Sequence, residues 1–170
     1  MNWRQVKVLR AYCKYLLQTG VPFSMSYMAE TLARHPAITR MLIDLFEASF
    51  DVSRDAESTY RKELASKRTA RRFDTLLDGE LARDAVLADF IAEFVAARLK
   101  DRELQVKVIK RAFRRALESV SSLDEDRILF AFYEVIRATL RTNFYQLNPD
   151  GSVKEYISFK LDSKALPELP

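Results

Sequence analysis

The side chains best suited to chemistry in this chain are few and scattered. It holds one histidine, His35, and one cysteine, Cys13. A Ser-His-Asp relay would have to run through His35, which directly precedes Pro36 at a helix junction. That position suits an exposed or helix-capping residue better than a general base. Cys13 falls on the apolar stripe of a helix, whereas a nucleophilic thiolate wants an electropositive, partly exposed setting; a buried structural thiol is expected. One Cys and one His cannot complete a zinc site of known spacing. Carboxylates recur at helical spacing, as in Glu80/Asp84 and Asp89/Glu93. Acid–base catalysis needs two carboxyls in a pocket that drives their pKa values apart, and on amphipathic helices such pairs form solvated faces. The glycines are Gly20, Gly79 and Gly151, so neither G-x-G-x-x-G nor a P-loop can be written anywhere in the chain. No catalytic, cofactor-binding or metal-binding residue is therefore assigned.

Cations are the other candidate chemistry. Of the 28 Lys and Arg residues, six lie in window 61–72 (RKELASKRTARR) and eight in window 98–115 (RLKDRELQVKVIKRAFRR). The acids between them are Glu63, Asp101 and Glu103. A row such as Lys107, Lys110, Arg111, Arg114 and Arg115 can neutralise phosphates, so a free-standing helical nucleic-acid-binding regulator is the alternative reading. Residues 12–45 can be drawn as a helix-turn-helix, but helices 24–50 offer only Arg34 and Arg40 for phosphate or base contact. No RNP-like aromatic motif or G-x-x-G loop is present. A solvated or protein-facing surface is the expected role, and a nucleic-acid partner is disfavoured.

The elements that position these side chains follow from composition. A chain of 170 residues with 48% hydrophobic and 31% charged residues is long enough for a buried core. Few glycines and prolines favour long helices. No run reaches the roughly 18–20 apolar residues of a membrane span. The start, MNWRQVKVLRAY, has no apolar h-region, and the single cysteine suits a reducing compartment; a cytoplasmic protein with no membrane partner is expected.

Periodicity places a first helix over 3–18, with Trp3, Val6, Leu9, Cys13, Leu16 and Leu17 on the expected apolar face and Gly20 and Pro22 ending it. Ser24 or Ser26 caps a short second helix running to Leu32, and Pro36 opens a third with Ile38, Leu42, Leu45 and Phe46. Polar residues 51–59 suggest a sub-division. Helices over 60–78, 80–100 and 103–119 follow. In the next helix Ser122 and Glu125 have capping-box spacing, Asp124, Glu125 and Asp126 suit its positive end, and Ile128, Leu129, Phe132, Val135, Ile136 and Leu140 form its buried face. Asn148-Pro149-Asp150-Gly151 then predicts a tight turn. Beyond it Ile157, Phe159 and Leu161 alternate with Tyr156, Ser158, Lys160 and Asp162, the pattern of a half-buried strand. The expected fold is mainly α, a multi-helix bundle over 1–141 with a C-terminal β-hairpin over 142–170. A two-stranded hairpin is marginal alone, so its apolar face, with Phe144 or Tyr145, needs cover from the helices, another copy or further strands. The hairpin reads as the opening of another domain, and the chain as a piece of a longer one.

Three stretches resemble the large bacterial NAD-specific glutamate dehydrogenases: RAYCKYLLQTGVPFSMSYMAETLARHPAITRMLIDLFEASFD (10–51), SLDEDRILFAFYEVIRATLRTNFYQ (122–146) and KEYISFKLDSKALPELP (154–170). Cys13 and Phe130 depart from the family's pattern, which has alanine and a basic residue there. The resemblance implies a full-length enzyme that deaminates L-glutamate oxidatively to 2-oxoglutarate and ammonium with NAD. It implies that this chain is a non-catalytic helical segment linking regulatory and catalytic regions, with the first strands of the catalytic domain. It also implies that the family's catalytic and cofactor-binding residues follow LPELP, so none maps here and NAD belongs to the parent. The implied partners are the remainder of its own chain, namely a catalytic core and N-terminal regulatory regions, and like subunits of a homo-oligomer.

Overall fold

The computed structural model describes residues 1–51, 102–162 and 164–166. The expected helices over 60–78 and 80–100, and basic window 61–72, lie outside the described residues. Five helices and two strands are found among those described: α1 Trp3–Gln18, α2 Met25–Arg34, α3 Pro36–Phe50, α4 Arg102–Leu117, α5 Leu123–Ala138, β1 Thr139–Thr142 and β2 Phe159–Leu161. The mainly helical fold with a C-terminal hairpin is thus as the sequence predicts. None of the described helices is long and apolar enough to cross a membrane.

Helix ends follow local chemistry. Asn2 and Gln5 cap α1 reciprocally: the Asn2 Oδ1 accepts from the Gln5 backbone N–H at 2.9 Å, and the Gln5 Oε1 accepts from the Asn2 N–H at 2.8 Å. Gly20, at φ +83°, turns the chain out of α1. Ser24 caps α2 by accepting the Tyr27 N–H, and Ser122 caps α5 by accepting that of Glu125. Pro36 opens α3, where its missing N–H costs nothing.

The chain forms two compact units. Residues 1–46 and 120–170 build one, and residues 47–119 the other. In the first, α1 packs on α2 and α5, and α2 on α5. The second half of α5 is buried on almost every side, from Ile128 and Leu129 through Phe132, Tyr133, Val135 and Ile136 to Ala138, as befits a core helix. In the second unit α4 buries Val108, Ile109, Ala112, Phe113 and Ala116, while Lys107, Arg111, Arg114 and Arg115 are exposed.

Two expectations about faces are corrected. The buried face of α1 is Gln5, Val8, Leu9, Tyr12, Cys13 and Leu16. Trp3 (63% exposed), Val6 and Leu17 lie outside it. Tyr12 draws the inward face round, because a whole aromatic ring buries more apolar area than the residues it displaces. Leu140 is exposed as well, since α5 stops at Ala138 and Leu140 occupies a bulge in β1.

β1 and β2 pair antiparallel in the register Thr139↔Leu161, Arg141↔Lys160 and Thr142↔Phe159. Beyond this short ladder the Asn143 backbone N–H donates to the Ser158 carbonyl at 3.4 Å, and its side chain adds two further ties. Its Nδ2 donates to the Tyr156 carbonyl at 3.2 Å and its Oδ1 accepts from the Ser158 N–H at 2.8 Å. A bridge between Leu147 and Val153 leads into the predicted turn, closed by the Gly151 N–H on the Asn148 carbonyl at 2.9 Å. Gly151 adopts φ +80°, with nothing within 4 Å of where a Cβ would stand. Gly151→Ala therefore meets only backbone strain, and denaturant unfolding should show a loss of about 1–2 kcal/mol.

Candidate functional site

No constellation for catalysis assembles among the described residues, and none of their His, Cys, Asp and Glu side chains cluster as a metal site. Cys13 is buried, and burial pushes its thiol pKa up, so it is a structural thiol as expected. Glu80, Asp84, Asp89 and Glu93 lie outside the described residues. Of window 98–115, α4 carries Arg102 onward; Arg115 is paired with Glu118 at 2.7 Å on an exposed surface. The two cations of the second and third helices are engaged internally. Arg40 forms a buried two-pronged pair with Asp44 (2.6 and 3.1 Å), and Arg34 reaches Glu30 and Glu125.

What the structure does assemble is a seam between the N-terminal helices and the hairpin. Tyr12 is at its centre, fully buried. Its ring stacks on Phe159 of β2 with centroids 4.3 Å apart and planes within 13°. Its hydroxyl lies 2.9 Å from the Thr139 Oγ1 of β1. The Thr139 hydroxyl already donates to the Val135 carbonyl at 2.8 Å, so Tyr12 must be the donor. Burial outweighs the Thr139 bond and holds the phenol pKa well above the ordinary tyrosine range. Phe46 of α3 meets Tyr12, Phe144 and Phe159 edge-on and lies near-parallel to Tyr145. The hairpin's apolar face is thus covered by the chain's own helices, one of the covers expected for it.

Polar ties fasten the rim. The Arg4 guanidinium donates to the Phe144 carbonyl at 2.6 Å and lies 4.6 Å from that ring's centroid. The Asp162 N–H bonds the Ala138 carbonyl at 2.8 Å, holding the end of β2 to the end of α5. Arg137, paired with Glu134, donates to the Ala165 carbonyl.

At the other end of α5, Glu125 is a junction. Ser122 accepts the Glu125 N–H, but the return half of the expected capping box does not form. The Glu125 carboxylate turns instead to the Arg34 Nη1 at 2.5 Å and the His35 Nε2 at 2.8 Å. A cation and an imidazole N–H together outcompete one neutral backbone N–H for a carboxylate. His35 thereby does more than the capping expected of it, joining the α2–α3 elbow to the start of α5. The His35 bond first, then that of Arg34, lowers the Glu125 pKa below the usual carboxylate value.

Comparison with known proteins bears on both sides of the seam. Residues 1–52 match the family model described as glutamate dehydrogenase, helical motif 3. Residues 112–170 match that of the bacterial NAD-glutamate dehydrogenase catalytic domain. Along its whole length the chain is 36% identical to the NAD-specific glutamate dehydrogenase of Pseudomonas aeruginosa. It is 33% identical to the proteins so described from Halomonas elongata and Mycobacterium tuberculosis. It spans 8% of the length of each of these relatives. No solved structure matches it significantly.

The seam generates two tests. Phe46→Ala should cost about 3–5 kcal/mol in denaturant unfolding, and Tyr12→Phe, which keeps the stack and loses one hydrogen bond, only about 1 kcal/mol. A Tyr12→Phe loss as large as that of Phe46→Ala would contradict the donor assignment. Glu125 has a depressed folded pKa, so its contribution is complete above its unfolded pKa and is lost as pH falls through the folded value. The melting temperature of the native chain should therefore drop through the acid range, and Glu125→Gln should flatten that part of the profile.

Proposed function

Because the chain is related along its whole length to NAD-specific glutamate dehydrogenases, we propose that it is the part of such an enzyme in which a helical region docks onto the beginning of the catalytic domain. The full-length polypeptide, on this reading, oxidises L-glutamate to 2-oxoglutarate and ammonium, with the hydride passing to NAD. This stretch takes no part in the chemistry. It links regulatory to catalytic regions, and its partners are the rest of its own chain and like subunits of a homo-oligomer in the cytoplasm.

One observation carries the reading. Residues matched by the helical-motif model and residues matched by the catalytic-domain model share a single folded unit and a single aromatic cluster, Tyr12 and Phe46 against Phe144, Tyr145 and Phe159. A link of this kind needs stiffness more than reactive groups, and rings packed at several angles supply it. The absence of a glycine-rich phosphate loop from the chain's own sequence suits a supporting role.

The test is enzymatic. The isolated chain, mixed with L-glutamate and NAD, should form no NADH, whereas the full-length polypeptide should. Within the full-length enzyme, Phe46→Ala should lower the temperature at which activity is lost. Glutamate-dependent NADH formation by the isolated chain would sink the proposal, and so would a full-length enzyme whose thermal inactivation ignores Phe46→Ala.

A further inference from the structure

The hairpin is irregular at its root. Pairing passes from Thr139↔Leu161 to Arg141↔Lys160, so Leu140 and Arg141 together oppose the single residue Lys160. Strict alternation from the buried Thr139 would turn Arg141 inward, toward the helices; the extra residue re-aims it outward. Leu140 is 53% exposed, and Arg141 and Lys160 are exposed beside it, whereas Phe159 on the other side of the ladder stacks on Tyr12. Two cations therefore stand directly opposite each other across two strands, an arrangement that destabilises a sheet. Neither forms an ion pair among the described residues. The carboxylates flanking the strands have other partners: Glu134 pairs with Arg137, and Asp162 accepts the Lys164 backbone N–H at 3.1 Å. The bulge breaks the ladder and the facing cations repel, so both act against the hairpin as an element by itself. Both also place positive charge on the face that the helices leave open.

We propose that this outer face docks an acidic segment of the same longer polypeptide, with a carboxylate between Arg141 and Lys160 and an apolar side chain over Leu140. The inference rests on the reading of the chain as part of a glutamate dehydrogenase. Tyr12 and Phe46 already occupy the inner side of β2, so a further neighbour meets the outer one. The chain spans 8% of the length of its relatives, which on that reading leaves ample polypeptide to supply the segment. A carboxylate shared by the two cations turns their repulsion into a pair of charge-assisted hydrogen bonds. A free inorganic anion would do the same for the charge yet leave Leu140 in water.

The sign of one substitution separates a docked face from a free one. In the isolated chain Lys160→Glu replaces repulsion with a cross-strand ion pair, and the melting temperature should rise by about 1–4 °C. In the full-length polypeptide the same change sets one carboxylate against another, and the temperature at which glutamate-dependent NADH formation is lost should fall. Lys160→Arg keeps the charge and should shift neither temperature. Hydrogen exchange gives a readout that needs no variant: residues 139–142 and 158–162 should exchange more slowly in the full-length polypeptide than in the isolated chain. Two Lys160→Glu shifts of the same sign, the absence of either shift, or equal exchange in the two forms would overturn the proposal. An isolated chain whose mass grows with concentration, and no longer does so in Lys160→Glu, would also overturn it and assign the face to a second copy. NADH formation at low temperature tests the dehydrogenase reading separately, and exchange, which needs no activity, decides the docking if that reading fails.

Discussion

Two strands with one apolar side do not hold together in water, and covering that side is the constraint to which the first folded unit answers. Tyr12 meets it from α1 and Phe46 from α3, both rings packing on Phe159 of β2. Tyr12 is unusual in reaching both strands: its ring lies on Phe159 of β2 while its hydroxyl bonds Thr139 of β1. Thr139 in turn donates back to Val135 inside α5. One side chain therefore connects α1, α5, β1 and β2 at the root of the hairpin. A purely apolar residue there would supply the packing but leave the Thr139 hydroxyl without its donor.

Charge is arranged around this core with the same economy of partners. Glu125 satisfies Ser122 through its backbone and Arg34 and His35 through its carboxylate, so a helix cap and an inter-helix tie share one residue. Arg40 and Asp44 neutralise each other in the interior of the third helix. With Arg34 and Arg40 both in ion pairs, the second and third helices of the helix-turn-helix drawn over residues 12–45 leave neither of their arginines free for a phosphate. The matched families bring nothing in favour of the nucleic-acid alternative either.

How much of this was legible in the sequence depends on how far apart the interacting residues are. Ser24, Ser122, Gly20, Pro36 and Gly151 act on backbone within a few positions, and each marks the element boundary its chemistry predicts. The inner face of α1 was misjudged because apolar residues sit on two sides of that helix. Only the distant hairpin, with Phe159 waiting for a ring, decides that Tyr12 and Val8 turn inward rather than Trp3 and Val6. Glu125 failed as a capping-box residue for a similar reason: its competing partners are about ninety positions away. Leu140 has helical periodicity with α5, yet pairing of Thr139 with Leu161 takes the chain into a strand first. The seam itself has no sequence signature, since nothing local announces that residue 12 and residue 159 will stack.

The hairpin also shows what shape can and cannot say about kinship. Its apolar alternation called for cover from helices, another copy or further strands, and Tyr12 of α1 and Phe46 of α3 supply it, so the pattern alone would suit a self-contained helical protein equally well. Similarity along all 170 residues, at 36% identity to the Pseudomonas aeruginosa protein, is what relates the chain to the glutamate dehydrogenases. The structure adds something that the alignment does not contain. The two matched stretches, 1–52 and 112–170, are separated in sequence, but most of their described residues, within 1–46 and 120–166, belong to one compact unit. A boundary drawn between a helical motif and a catalytic domain is therefore not a boundary of folding. Packing changes at Tyr12 or Phe46 must be felt at β1 and β2, and changes at Phe144 or Phe159 at α1 and α3, because each ring forms part of the other's surroundings.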